Sequence, residues 1–246
     1  MRTINSYGLI RIGLIIRLLR NLTRKNTAKY VINEFKALET ELEKSEYFVS
    51  VNSLEFIREI IDDLKKLPSE SEIGDLANKL TREMNSIEKV VYSEANSKKL
   101  YVVPPRRYNE KYLLEEPEKL LKADVYDKLS EIGQFDFSAA CRCLSFGEGT
   151  ACAFHILRVT EDTLKLMYFH FKKTNRLKKP MWGPMTQELR SKREPKPNST
   201  ILDTLDVIRN SYRNPTQHPQ VTYDIDSSQD LFGLCLDILN KMAQYL

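Results

Sequence analysis

Apolar residues in this chain recur three and four positions apart far more than they alternate, the spacing of amphipathic helices rather than strands. Residues 7–46 read as two helices broken near Arg24–Asn26, with Asn26 or Thr27 able to cap the second. Asn52 or Ser53 opens another, whose stripe is Leu54, Ile57, Ile60, Ile61 and Leu64, and Leu67-Pro68-Ser69 ends it. A long, densely charged helix is expected from Ser69 to about Ala95 through Ile73, Leu76, Leu80, Met84, Ile87, Val90 and Val91. The pattern then fails: Tyr101, Val102 and Val103 precede Pro104-Pro105, which cannot continue a helix. We read 100–107 as an extended connector that separates an N-terminal helical region, 1–103, from a second domain, 104–246.

In the second part the spacing predicts a helix near 116–131, another over Phe135–Phe146 and a long one from about Gly149 to Phe171. That last helix brings Ala151, Phe154, His155, Arg158, Glu161, Leu164 and Tyr168 onto related faces. Residues 172–197 read as a proline-marked loop holding a short helix around Trp182–Arg190. Asn198 or Ser199 caps a helix running to about Tyr212, and residues 226–246 form a final amphipathic one. The fold class is therefore all-α, in keeping with only 8 glycines and 29% charged residues.

No stretch reaches the ~18 uninterrupted apolar residues of a membrane span. The greasy run Gly8–Leu19 is broken by Arg11 and Arg17 and followed by Arg20, and no small-residue cleavage site succeeds it. It reads as a helix buried against its neighbours, with a membrane-surface helix as the alternative. The four cysteines (Cys141, Cys143, Cys152, Cys235) lie in apolar helical patterns without CxxC spacing, as expected of buried thiols in a reducing, cytoplasmic setting.

The net charge of +4 says little, but its distribution says more. Residues 172–197 hold nine basic and two acidic side chains, so the remainder of the chain is net acidic. Lys178, Lys179, Arg190, Lys192 and Arg193 are candidates for phosphate contacts with RNA, and Trp182 for base stacking. The plainer reading is a solvated loop with Trp182 as a packing anchor.

Just downstream, Arg213-Asn214-Pro215-Thr216-Gln217-His218 lies between two predicted helices, bracketed by Pro215 and Pro219. Arginine stays charged at any relevant pH and offers a fork matched to phosphate oxygens, while histidine titrates near neutrality. Together they suit RNA cleavage in which the ribose 2′-hydroxyl attacks its own phosphate. Asn214 adds an uncharged donor.

Arg213-Asn214-x-x-x-His218 resembles the R-x(4–6)-H motif of the HEPN superfamily. Phe135-Asp136-Phe137-Ser138-Ala139-Ala140, the run Thr150–Glu161, Trp182-Gly183-Pro184-Met185, and Ile208-Arg209 follow an order similar to that of bacterial HEPN proteins. The likeness covers roughly residues 116–246. It implies a HEPN-like bundle of four main helices and a metal-independent, cofactor-free endoribonuclease that leaves a 2′,3′-cyclic phosphate, a toxin or antiphage effector acting on tRNA or other RNA. Arg213, Asn214 and His218 would be catalytic, with Glu161 and Arg158 facing the cleft in support. It also implies a homodimer, which supplies a second histidine from the partner copy, and a cognate antitoxin or trigger protein. The N-terminal region would then regulate, sense or dimerise.

Plainer readings stand beside these. Arg213 and His218 can be surface residues at a helix end, Glu161 can pair with Lys165 at i,i+4, and His155, among Phe154, Ile156 and Leu157, can be a core or supporting histidine. The second functional class is a non-catalytic helical module that binds RNA, a nucleotide or a partner protein.

Overall fold

The computed structural model describes residues 6–172, 177 and 180–246. Among them every extended element is absent and every regular element is helical, apart from an isolated bridge between Thr27 and Glu72. The chain forms two compact units that divide between Tyr101 and Val102, each with its own apolar core.

The first unit contains α1 (Ser6–Arg20), α2 (Ala28–Lys44), α3 (Phe48–Asn52), α4 (Glu55–Lys65) and α5 (Leu76–Ser97). Helix α1 buries Ile12, Ile15, Ile16 and Leu19 and exposes Tyr7, Ile10, Leu14 and Leu18, so only one of its faces is core. No helix among the described residues is long and apolar enough to cross a membrane. Thr27 caps α2, its hydroxyl accepting from Tyr30 N at 3.3 Å, while Asn26 closes the preceding turn through Thr23 N at 2.7 Å.

Two expectations change here. Residues 69–75 are not helical, because their backbone serves α2: Ala28 N donates to Ser71 O and Lys29 N to Ser69 O, at 2.9 and 3.0 Å. Ile73 N and Gly74 N in turn donate to Asn26 O and Arg24 O, so α5 starts only at Leu76. Nor does Asn52 or Ser53 open α4. They belong to the end of α3, whose own first amides are capped from α5 by Glu94. The carboxylate accepts Val49 N at 3.2 Å and Ser50 N at 2.8 Å.

The second unit contains α6 (Glu110–Leu114), α7 (Glu131–Phe146), α8 (Gly149–Phe171), α9 (Trp182–Ser191), α10 (Ser199–Ile208), α11 (Asn214–Gln217) and α12 (Ile225–Met242). Helix α8 is the spine: it packs on α7 and α12 and buries Cys152, Ile156, Leu157, Val159, Leu164 and Met167. Ser130 caps α7 through Gly133 N at 3.0 Å, and Gly147 ends it at φ +82°, where a side chain would be strained.

The helix expected over 116–131 is instead a 3-10 turn, Pro117–Leu120, followed by successive tight turns. Leu121, Val125 and Leu129 keep the four-residue spacing that suggests a helix, and all are buried. Asp124 at φ +65° breaks the path, and Lys122 N pairs with Asn240 Oδ1 at 2.9 Å instead of with its own segment.

Candidate active site

Helix α10 does not stop near Tyr212. It runs into a π-helical turn, Arg209–Arg213, in which Asn214 N–H donates to Arg209 O five residues back, and then into α11. The Arg213–His218 segment is therefore helical up to Gln217 and not the loop its prolines suggest. A proline at 215 in a regular α-helix would press its ring on the carbonyl of Ser211, and the wider turn relieves this. One inserted residue also shifts the helical phase by about 100°, which decides where Arg213 points.

It points at α8. Arg213 Nε and Nη2 donate to Glu161 Oε2 at 3.3 Å, and Nη2 also reaches Oε1 at 3.4 Å. Both side chains are about a quarter exposed, 25% and 29%. Among the described residues Glu161 pairs with Arg213, not with Lys165.

The far end of the segment is held by Tyr223. Thr216 Oγ1 donates to Tyr212 O at 2.7 Å and lies 3.1 Å from the Tyr223 hydroxyl, while Tyr223 N donates to Thr150 Oγ1 at 2.9 Å. This close return over the start of α8 requires Gly149, since a Cβ there would stand 2.4 Å from Tyr223 O and 2.7 Å from Asp224 O. Asn214 accepts His218 N–H at its carbonyl, 3.1 Å away, and His218 is exposed at the end of α11.

A second cluster adjoins the first along α8. Asp136 on α7, 1% exposed, receives Arg158 Nε at 2.9 Å and faces His155 Nδ1 at 2.8 Å. Asp136, Arg158 and Glu161 line one open depression of ≈ 270 Å³, together with Ile132, Asp162 and Lys165. Its floor carries three carboxylates against two cations. Asp162 is bonded at one oxygen by Ser130 Oγ, 2.5 Å away.

Of the remaining sequence candidates, Arg190 is engaged in the fold, cross-linking α9 to α10 through Asp203 at 2.7 Å and Asp206 at 2.8 Å. Lys192 follows α9 half-buried and Arg193 is exposed. Lys178 and Lys179 lie outside the described residues. Trp182 is buried, its Nε1 donating to Leu205 O at 3.2 Å, so it is a packing anchor and offers no stacking face. The residue that sequence reasoning did not nominate is Asp136. Its only signal was an acid inside the apolar run Phe135-Asp136-Phe137, since its partners are 19 and 22 positions away.

Compared with protein-family models, with curated proteins and with solved structures, the chain matches none.

Proposed function

We propose that the chain is a metal-independent endoribonuclease of the HEPN type, in which Arg213 and His218 act on a phosphodiester bound over α8. The observation that carries this reading is the meeting of two elements remote in sequence: the Arg213–His218 segment and the polar stripe of α8 join through Arg213 and Glu161. Arg213 neutralises the crowded phosphorane, His218 moves a proton and Asn214 orients them. The π turn supports the reading, because such turns recur where a helix must present side chains out of register. The four-helix HEPN arrangement, a toxin or antiphage role on tRNA or other RNA, cytoplasmic residence and control by the N-terminal unit or an antitoxin belong to the same proposal.

One observation favours the second class. Arg213 is already matched by a carboxylate, and the depression beside it carries more acid than base. That is compatible with a non-catalytic module that binds RNA, a nucleotide or a protein through another surface.

End-mapped cleavage of a labelled RNA separates the two. The nuclease reading expects 2′,3′-cyclic phosphate and 5′-hydroxyl ends from the wild type, in the presence of EDTA, and their loss in Arg213→Ala and His218→Ala. Cleavage that both variants retain, or a folded wild type with no cleavage of total RNA, overturns it. Growth arrest on expression gives a second reading: a toxic effector arrests cells, and the two variants do not.

A further inference from the structure

Acid–base cleavage of RNA needs two proton-transfer groups, one to take the 2′-hydroxyl proton and one to protonate the leaving 5′-oxygen. His218 is one group. The resemblance places the second on a partner chain, yet this chain holds a histidine of its own on the polar stripe of α8. We propose that His155, oriented by Asp136, is the second proton-transfer residue, so that the site is complete within one chain; this rests on the nuclease reading above.

Three observations lead there. First, His155 is held as a working imidazole is held. A carboxylate only accepts, so Nδ1 must carry the hydrogen toward Asp136 Oδ1, 2.8 Å away. In the neutral ring this leaves the lone pair on Nε2. The His155 side chain is 26% exposed while Asp136 is 1% exposed, so a partly exposed imidazole is held by a buried carboxylate.

Second, Asp136 does more than a lone buried acid would. Its other oxygen receives Arg158 Nε at 2.9 Å, so one carboxylate orients a histidine and an arginine together. The charged groups bonded into this array are Asp136 from α7 and Arg158 from α8 itself, and Arg158 also lies over the Phe154 ring, 5.9 Å from its centroid. The Phe154 ring meets the His155 ring edge-on at 6.1 Å.

Third, the array and the Arg213 contact share a surface. Asp136, Arg158 and Glu161 line the same depression, and Glu161 is the residue Arg213 touches. His155 and Arg213 are each one bond removed from that lining. The helical rise from His155 to Glu161 is about 9 Å, so the two hydrogen-bonded arrays lie within two turns of each other along α8.

The step balances without a further reactant. The 2′-oxygen bonds to phosphorus as its proton passes to His155 Nε2. The P–O5′ bond breaks, and the 5′-oxygen takes its proton from a protonated His218. The cyclic phosphate and the 5′-hydroxyl leave, and water returns the two histidines to their starting states.

The test uses the full-length protein and an RNA that the wild type cleaves. His155→Asn keeps a donor near the Nδ1 position for Asp136 but has no titrating nitrogen. It is expected to lose about a hundredfold to ten-thousandfold in kcat with KM little changed, to lose the basic-group limb of the pH–rate profile, and to keep its melting temperature. His155→Gly with added imidazole should regain activity, which a purely structural residue would not show. An active His155→Asn enzyme with both limbs of its profile intact overturns the inference while leaving Arg213 and His218 in place. Loss of activity in Arg213→Ala and His218→Ala alone points to the same result. A folded wild type that cleaves no RNA overturns this inference together with the reading it rests on. Nitrogen-15 spectra of the wild-type imidazole add an independent check: a hydrogen found on Nε2 of neutral His155, instead of Nδ1, removes the acceptor and the inference with it.

Discussion

Glu161 on α8 holds both its carboxylate oxygens within 3.4 Å of the Arg213 guanidinium, so the cation of the motif already has an anion. The contact is long for a charge-assisted bond and partly open to water, which makes it weak and exchangeable: pairs of this kind contribute about 0–1 kcal/mol. On the proposed nuclease reading, Glu161 would compete with an incoming phosphate for Arg213.

Glu161→Gln should accordingly bind single-stranded RNA more tightly than the wild type at low salt. Each additional phosphate neutralised by the protein steepens the dependence of log affinity on log salt by about 0.7, and freeing Arg213 should add one. Stability should fall by no more than about 1 kcal/mol. Fluorescence anisotropy across a salt series measures the slope, and a slope equal to the wild type's would show that Arg213 meets no phosphate.

The close passage of residues 223–224 over α8 makes a sharper structural demand. Gly149→Ala puts a methyl 2.4 Å from Tyr223 O, which is backbone and cannot swing aside. The expected cost is about 1–3 kcal/mol in urea denaturation, with loss of the Tyr223 N–Thr150 bond that anchors the end of the motif. Gly183→Ala is the control. A Cβ there also meets an atom at 2.4 Å, but that atom is Arg209 Nη1, the end of a flexible side chain, so the penalty should be smaller.

How much of this was written in the sequence follows from the range of the interactions. Helix α8 was legible to its ends, because its periodicity is local and Gly147 and Gly149 flank its start. The stretch 116–131 was not: four-residue spacing of Leu121, Val125 and Leu129 is shared by a helix and by a run of tight turns, and the choice is made by α12 through Asn240. The same holds for residues 69–75, whose backbone is recruited by α2. In the site, Arg213 and His218 could be singled out by residue type, but the π turn that aims Arg213 leaves no periodic trace beyond Pro215. Asp136 acquired meaning only when α7 and α8 packed side by side.

Thiol chemistry should follow burial. Cys141 and Cys152 lie in the apolar core, which pushes their thiols well above the ordinary range, and burial raises Cys235 to about 12. Cys143 is raised as well by burial but is only half-buried. At pH 8 an aromatic disulfide reagent should label Cys143 first in the native protein, and the other three only once the fold opens. Rapid labelling of all four under native conditions would contradict this core.

Glu94 supplies a pH dependence confined to the first unit. Burial of its carboxyl opposes ionisation, but hydrogen bonds from Ser50 Oγ, Ser50 N and Val49 N, with Lys98 nearby, outweigh that and hold its pKa below the ordinary glutamate value. A lowered folded-state value means the contact stabilises the fold above the unfolded pKa, about 4.5, and is lost as pH falls below it through the folded-state value. Glu94→Gln should cost about 1 kcal/mol at pH 7, the scale of a lost helix N-terminal cap, and the gap from wild type should shrink on acidification below that window. Denaturation followed by a probe in the first unit, at pH 7 and then through the acid range, measures both. A gap that stayed constant down to pH 3 would mean that the packing of Glu94, and not its charge on the first amides of α3, carries the effect.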